Sequence, residues 1–345
     1  MNPQAHRRRL LVAAAKLALA GGILAALVYR LWGDEAFARL LAEPKRWGPL
    51  AAAQACIVLA FTASFARWTL LVRALHLPFS LRDGFRLGSL GFLLNQISLG
   101  SVGGDLFKAM FVAREQPGRR TEAVATVIVD RVVGLYAMLL VASGAVLVAR
   151  DVAAESPILL GLTRAVAASL AVGTVGLVFV MTPWAAGPGM RGLAGRLPLV
   201  GATLERLVDA VGVYRDRRAY LFGALGIACA THLLLVSAFW LICRGLPVAK
   251  PTAAEMLLVA PMSLVAGAIP LTPSGLGTFE TAFSQLFAIV AGSPGEGFMV
   301  AVTYRAMTYG MAAVGAAYYL AARRRVDAML HEAEELADEI GAAGN

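Results

Sequence analysis

The sequence predicts an all-α, polytopic integral membrane protein, with six full spans and two re-entrant helical hairpins in an inverted repeat. Three observations predict it. Of 345 residues, 59% are hydrophobic and only 15% are charged, whereas a soluble chain carries about 25% charged residues. Apolar runs of about 20 residues recur along the chain, the length an α-helix needs to cross a bilayer. Two further apolar regions are broken midway, and the features around each break recur in the same order. Mean hydropathy is +0.70. Together these exclude a soluble globular domain, disorder, collagen and a coiled coil. Continuous runs also exclude an outer-membrane barrel, whose strands alternate in segments of about ten residues.

The spanning runs are 10–29, 48–66 (extendable to about 72), 121–149, 158–181, 219–242 and 298–320. The first follows His6-Arg7-Arg8-Arg9 and resembles a signal peptide. It is long, contains Lys16 and lacks a small-x-small cleavage site, so it reads as a retained helix. The broken regions are 84–113 and 252–291. Asn95-Gln96 and Gly100-Ser101-Val102-Gly103-Gly104 interrupt the first, and Pro270 to Gly277 interrupts the second. Each reads as two half-length helices meeting at a turn. An eight-span alternative makes 252–269 and 276–291 complete crossings without changing the orientation of the rest. The hairpin is preferred because Pro270–Gly277, which would then be an inner loop, carries no basic residue.

Net charge is +9, which in such a chain reports loops rather than nucleic-acid binding. With both hairpins returning to their own side, 19 Lys and Arg fall on one side and 8 on the other. Lys16, Lys108, Arg131 and Arg305 stay at membrane depth. The positive-inside rule then puts both termini in the cytoplasm. Richness in Ala, Gly and Arg suggests a bacterial source, hence an inner (plasma) membrane protein. One transmembrane domain is expected over 1–325, with repeat halves at about 48–149 and 219–320. A linker at about 190–218 has Leu197, Val200, Leu204, Leu207, Val208 and Val211 at the spacing of an amphipathic interfacial helix. An acidic cytoplasmic tail, 326–345, follows. Cys56, Cys229 and Cys243 are odd in number with no CxxC spacing, so neither a disulfide framework nor a zinc site is expected.

The repeat is read from spacing. A span leads to a broken region and then to a span carrying Asp130-Arg131 in one half and Tyr304-Arg305 in the other. Gly104 precedes Arg131 by 27 residues, and Gly277 precedes Arg305 by 28. The first half enters from outside and the second from inside. Arg131 lies about 14 Å in from one face and Arg305 about 10 Å in from the other, at 1.5 Å per residue. They are expected to face each other near the bilayer centre.

Six charges sit where charge is costly, about 2.5–3.5 kcal/mol each at a helix centre: Asp105, Lys108, Asp130, Arg131, Glu280 and Arg305. They are expected to form ion pairs, Asp105 or Asp130 with Arg131 and Glu280 with Arg305. A functional role can coexist with these pairs: arginines hold an anionic headgroup through their planar fork of donors while the acids orient them. Gly103-Gly104 and Gly275-Leu276-Gly277 each precede a helix start. Their backbone N–H groups could cradle an anion, and helix packing explains them equally well. Asn95 could bind a headgroup or the turn itself. The expected substrate-binding set is Asn95, Gly103, Gly104, Asp105, Lys108, Asp130, Arg131, Pro273, Gly275, Gly277, Glu280 and Arg305. His232 reads as a hydrogen-bonded core residue rather than a ligand. No HExxH, GxSxG or Walker motif is present, so no catalytic residue, metal or cofactor is expected.

With these residues in view, the chain resembles the lysylphosphatidylglycerol synthase transmembrane-region family, the flippase-like integral membrane proteins. Asn95-Gln96, Gly103-Gly104-Asp105 and Asp130-Arg131 carry the resemblance, with Pro270-x-x-Pro273-x-Gly275-x-Gly277-x-x-Glu280 and Arg305. It covers about residues 10–322. Lys108 stands where the family pattern usually has Arg, which keeps the charge and loses the fork. In bifunctional relatives, this region moves an aminoacylated phospholipid between leaflets and a soluble domain attaches the amino acid. Here the chain ends at Asn345, about 20 residues after the last span, so the resemblance implies translocation without synthesis. The expected function is flipping of an anionic or lipid-linked substrate by alternating access. The alternatives are an intramembrane lipid-modifying enzyme using Asp105, Asp130 or Glu280, and a non-catalytic membrane subunit of a lipid pathway. The expected partners are a membrane lipid and enzymes of its pathway.

Overall fold

The structure is a computed structural model describing residues 35–97, 103–115, 119–182, 214–269 and 275–321, with Gly22, Tyr29, Gly212 and Thr272. The expected first span, the linker helix and the acidic tail lie outside or almost wholly outside the described residues. So do Pro273 and most of the second hairpin's tip. Among the described residues there are eleven α-helices and no strand.

The first half comprises α1 (Glu35–Ala42), α2 (Trp47–Ala74), α3 (Leu81–Ile97), α4 (Gly103–Glu115) and α5 (Arg120–Val148). Two connecting helices follow, α6 (Arg150–Glu155) and α7 (Pro157–Val180). The second half comprises α8 (Arg218–Gly245), α9 (Ala253–Ala268), α10 (Thr278–Val290) and α11 (Pro294–Ala321). Among the described residues α2, α5, α7 and α8 are long and apolar enough to cross a membrane. α11 is equally long at 28 residues but carries Glu296 and Arg305. The hairpin helices are short: 17 and 13 residues in the first, 16 and 13 in the second. At 1.5 Å per residue none reaches the roughly 30 Å of a hydrocarbon core.

Both hairpins start on reciprocal caps. Ser80 and Asp83 exchange side-chain-to-backbone bonds at α3 (Asp83 N–H to Ser80 Oγ 3.1 Å, Ser80 N–H to Asp83 Oδ2 3.2 Å). Thr252 and Glu255 do the same at α9, at 3.2 and 2.6 Å. Each pair satisfies first-turn donors that would otherwise lack partners.

The two halves repeat one contact plan. α2 packs on α3 and α5 as α8 packs on α9 and α11. α4 lies between α3 and α5 as α10 lies between α9 and α11. Across the halves, α3 meets α11 as α9 meets α5, and α2 packs along α8. That last pair is antiparallel. Arg46 N–H donates to Gly245 O at 2.9 Å, while at the other end Tyr214 Oη donates to Leu71 O at 3.0 Å. The leading helices of the two halves therefore run in opposite directions, so the second half is inverted relative to the first.

Two buried clusters flank the middle. One gathers Trp68, Phe79, Leu87, Leu90, Phe107 and Tyr214 around the first hairpin. The other gathers Ile57, Phe239, Met256, Phe283, Phe287 and Val300 around the second. α7 stands apart, held to α5 by Tyr136 Oη and Thr174 Oγ1 at 2.8 Å. Val172, Val175 and Val178 on it are exposed, as suits a helix facing lipid.

Basic residues segregate to the two ends. Arg86 donates to Tyr318 Oη at 2.6 Å, near the α3 start and the α11 end. Arg217 meets His76 on that side. At the opposite end Arg39 pairs with Glu296 at 3.2 Å, and the Lys250 ammonium donates to the carbonyls of Cys243 and Leu246, at and just past the end of α8. Burial lowers the Lys250 pKa. α2 continues to Ala74, just past the extended bound of the second run, which puts Arg67 inside the helix, buried, rather than among the inner-side basic residues with which it was counted. A paired charge need not end a span, because its partner offsets most of the cost.

Candidate substrate site between the two hairpins

The inner ends of α3 and α9 converge on a cavity of about 490 Å³, within the usual range of ligand pockets, roughly 300–1,000 Å³. Its polar lining includes Arg67, Asn95, Lys108, Asp130, Arg131 and Arg305. Its apolar lining includes Phe61, Phe92, Leu135, Met138, Leu264 and Phe279. Asp105 and Glu280 stand behind the arginines.

Four ion pairs on three carboxylates organise it. Asp130 accepts from Arg67 through both oxygens, Nε to Oδ1 at 2.8 Å and Nη2 to Oδ2 at 3.1 Å. Both partners are largely buried, and the fork-to-carboxylate fit is the strong bidentate form. Arg131 donates to Asp105, which also faces the Lys108 ammonium at 3.7 Å. That ammonium lies 5.3 Å from the Trp68 ring centre, on the cation-attracting π face. Arg305 donates to Glu280, which is fully buried, and stacks over Phe279 at 5.6 Å.

Of the two partners expected for Arg131, the structure selects Asp105; Asp130 belongs to Arg67. The expected Glu280–Arg305 pair is present. Arg67 changes the charge balance. The six charges read from sequence sum to zero. Adding Arg67 makes four cations against three carboxylates.

The glycines serve packing. Gly104 N–H donates to Asn95 Oδ1 at 2.8 Å, so Asn95 ties the turn. Gly277 N–H donates to Glu280 Oε2 at 2.7 Å. These two donors are satisfied within the hairpins rather than left open to an anion. A Cβ on Gly104 would overlap the Gly91 carbonyl oxygen, and one on Gly275 would overlap that of Gly267. In both hairpins, then, one glycine of the returning arm lies against the backbone of the outgoing arm. Gly275 and Gly277 have φ of 65° and 85°, which only glycine adopts readily. Gly103 begins α4.

The half-sites differ in access. The Arg131 side chain is 49% exposed, that of Arg305 only 14%. His232 on α8 also reaches the cavity wall and bonds Gly134 O on α5 at 3.1 Å. It is hydrogen-bonded, as expected, and lines the site as well. Tyr304 lines the wall beside Arg305 and packs on Phe239, with ring centres 4.2 Å apart. Among the described residues no group of three or more His, Cys, Asp or Glu side chains is placed to hold a metal ion.

Sequence reasoning missed Arg67, and it read His232 as a core residue without placing it at the cavity. Arg67 was visible as the one basic residue in the possible extension of the second run to residue 72.

The fold and cavity define a helical integral membrane protein of the broken-helix, inverted-repeat type. Residues 13–315 match the family described as the lysylphosphatidylglycerol synthase TM region, and the chain belongs to that family. Membership ties it to membrane-lipid function. No curated protein matches it.

Proposed function

We propose that the protein translocates an anionic lipid or lipid-linked substrate between leaflets, with the cavity as its binding site. The observation that carries this reading is the mixed lining of the cavity. Four cations against three carboxylates leave one net positive charge among aromatic and aliphatic side chains. An amphiphile with a monoanionic head matches both kinds of lining. In this reading the inverted halves exchange roles in a second arrangement, in which the other half-site opens. Arg131 and Arg305 each contact the head from one half. The proposed setting is a bacterial inner membrane with both termini cytoplasmic. Burial of Arg67 in α2 leaves 18 basic residues on the inner side against 8 outside, so the positive-inside asymmetry holds.

The test is reconstitution in liposomes containing fluorescent phosphatidylglycerol, with leaflet exchange followed by impermeant quenching. Wild-type protein should accelerate exchange without altering the lipid covalently. Arg131→Lys and Arg305→Lys, at equal incorporation, should each lower the rate at least tenfold, because Lys keeps the charge and loses the bidentate fork. Wild-type rates in both variants would make the arginines simple counter-charges and move the binding site elsewhere. A new lipid species without exchange would replace this reading with lipid modification.

A further inference from the structure

A second cavity, of about 530 Å³, lies at the end of the molecule opposite Arg86 and Arg217, where α1, the chain entering α2 and the loops after α8 and α10 meet. No residue lines both it and the central cavity. Three cations line it, Arg39, Arg46 and Lys250, against two carboxylates, Glu43 and Glu296. The cations are unequally engaged. Arg39 is tied to Glu296 at 3.2 Å, and the Lys250 ammonium to the Cys243 and Leu246 carbonyls. Arg46 is exposed. Its backbone N–H is held by Gly245 O, but its guanidinium has no hydrogen bond or ion pair among the described residues. Arg244 lies close by on α8, over the Trp240 ring at 4.7 Å. Burial is the main cause of the lowered Lys250 pKa, and the charges of Arg244 and Arg46 add to it. Cations therefore crowd this end, and an anion in the cavity relieves the crowding.

The depth of the cavity points to the source of that anion. α2 begins at Trp47 and α8 ends at Gly245, and both helices are long and apolar enough to cross a membrane. Arg46 N–H and Gly245 O are joined at 2.9 Å, so the two spans surface together at this cavity. Trp47 is 74% exposed, and Trp240 lies just over a turn inside the end of α8. Exposed tryptophan at the end of a span sits at headgroup level. We propose that this cavity binds the phosphate head of an anionic phospholipid from the leaflet at that end, as a site separate from the central cavity, with the Arg46 guanidinium as its unengaged donor fork. A guanidinium meets two phosphate oxygens at once. Arg39 and Arg46 belong to the first half and Lys250 and Glu296 to the second, so a bound head bridges the two halves.

The test places a fluorophore beside this cavity and a quencher on the lipid. Ala42→Cys, exposed at the end of α1, is labelled with bimane in the full-length protein lacking Cys56, Cys229 and Cys243, in detergent at physiological ionic strength. Phosphatidylglycerol carrying a nitroxide near its glycerol backbone is titrated in, with the same nitroxide on phosphatidylcholine as the comparison. Phosphatidylglycerol should quench at the lower concentration. Arg46→Gln should raise its half-quenching concentration about two- to fivefold, the scale of one partly exposed charge pair, and Arg46→Glu should raise it further. Lys45→Gln removes the same charge one residue away, at a position off the cavity, and should change nothing. Equal quenching by the two lipids, or an unchanged titration in Arg46→Gln, would overturn the proposal. An equal effect of Lys45→Gln would also overturn it, because that marks diffuse surface charge rather than a site. Arg131→Lys should leave the quenching unchanged; its loss would show the reporter following the central cavity instead. Free glycerol phosphate at equal concentration should not reverse the quenching. Reversal would make the ligand a soluble phosphate and refute the lipid assignment.

Discussion

Arg67 and Asp130 form the most enclosed ion pair of the cavity, and the cost of separating them is asymmetric. Removing one partner leaves a buried charge uncompensated, which costs about 3–5 kcal/mol, whereas replacing both with apolar residues of similar volume is often neutral. Arg67→Ala and Asp130→Ala should therefore each lower the thermal unfolding midpoint in detergent, while Arg67→Met with Asp130→Leu recovers much of the loss. Additive losses in the double variant would show that the two side chains do not act as a pair. Glycines give a second contrast at this scale. Gly104→Ala drives a Cβ into the Gly91 carbonyl and should reduce folded yield severely. Gly144 has nothing within 4 Å of an added Cβ, so Gly144→Ala should be neutral or stabilise by about 0.5–1 kcal/mol. Folded yield by gel-filtration profile separates the two outcomes.

Each hairpin is held at both ends, by a reciprocal cap where it begins and by a glycine against backbone near its tip. Between them, α2 and α8 run antiparallel as the common spine of both halves. Gly245 faces Leu50, and Gly223 faces Leu70. In a background without Cys56, Cys229 and Cys243, paired cysteines at 50 with 245 and at 70 with 223 should both be joined by a short thiol cross-linker. A pair at 50 with 223 should not react. Cross-linking of that third pair would make the spine parallel and remove the inversion on which the proposed translocation depends. The sequence already showed where each hairpin lies, because glycine and proline clusters interrupt apolar runs. It did not show that Gly104 and Gly277 N–H groups are satisfied by Asn95 and Glu280. That outcome depends on where the arms close on each other.

The whole molecule is asymmetric despite its repeat. Arg131 is half exposed and Arg305 nearly enclosed, so the first half-site is the open one in this state. Translocation requires the reverse state to be populated as well, and a ligand shifts the balance only by its differential affinity for the two. Cysteine at Leu135, which is 49% exposed, should react quickly with a lipid-permeant maleimide, and cysteine at Thr308, which is 6% exposed, slowly. If the protein translocates lipid as proposed, adding phosphatidylglycerol should raise the Thr308→Cys rate several-fold. An unchanged rate under saturating lipid would mean that the second half-site does not open.

The sequence by itself determined the membrane class, the two broken regions, the repeat spacing and six of the seven charges at the cavity. Those properties are local or periodic: apolar run length, chain-breaking residues, and charge where charge is costly. Only the tertiary structure decided the pairing. Asp130 is adjacent to Arg131 in sequence, but neighbouring residues on a helix point about 100° apart. Asp130 therefore meets Arg67 on α2 while Arg131 turns to Asp105 on α4. The same packing drew Arg67 and His232 into the cavity wall, because which face of α2 and α8 looks inward is set by the antiparallel contact between them. That contact joins residues more than 140 positions apart, and no pattern within either helix encodes it.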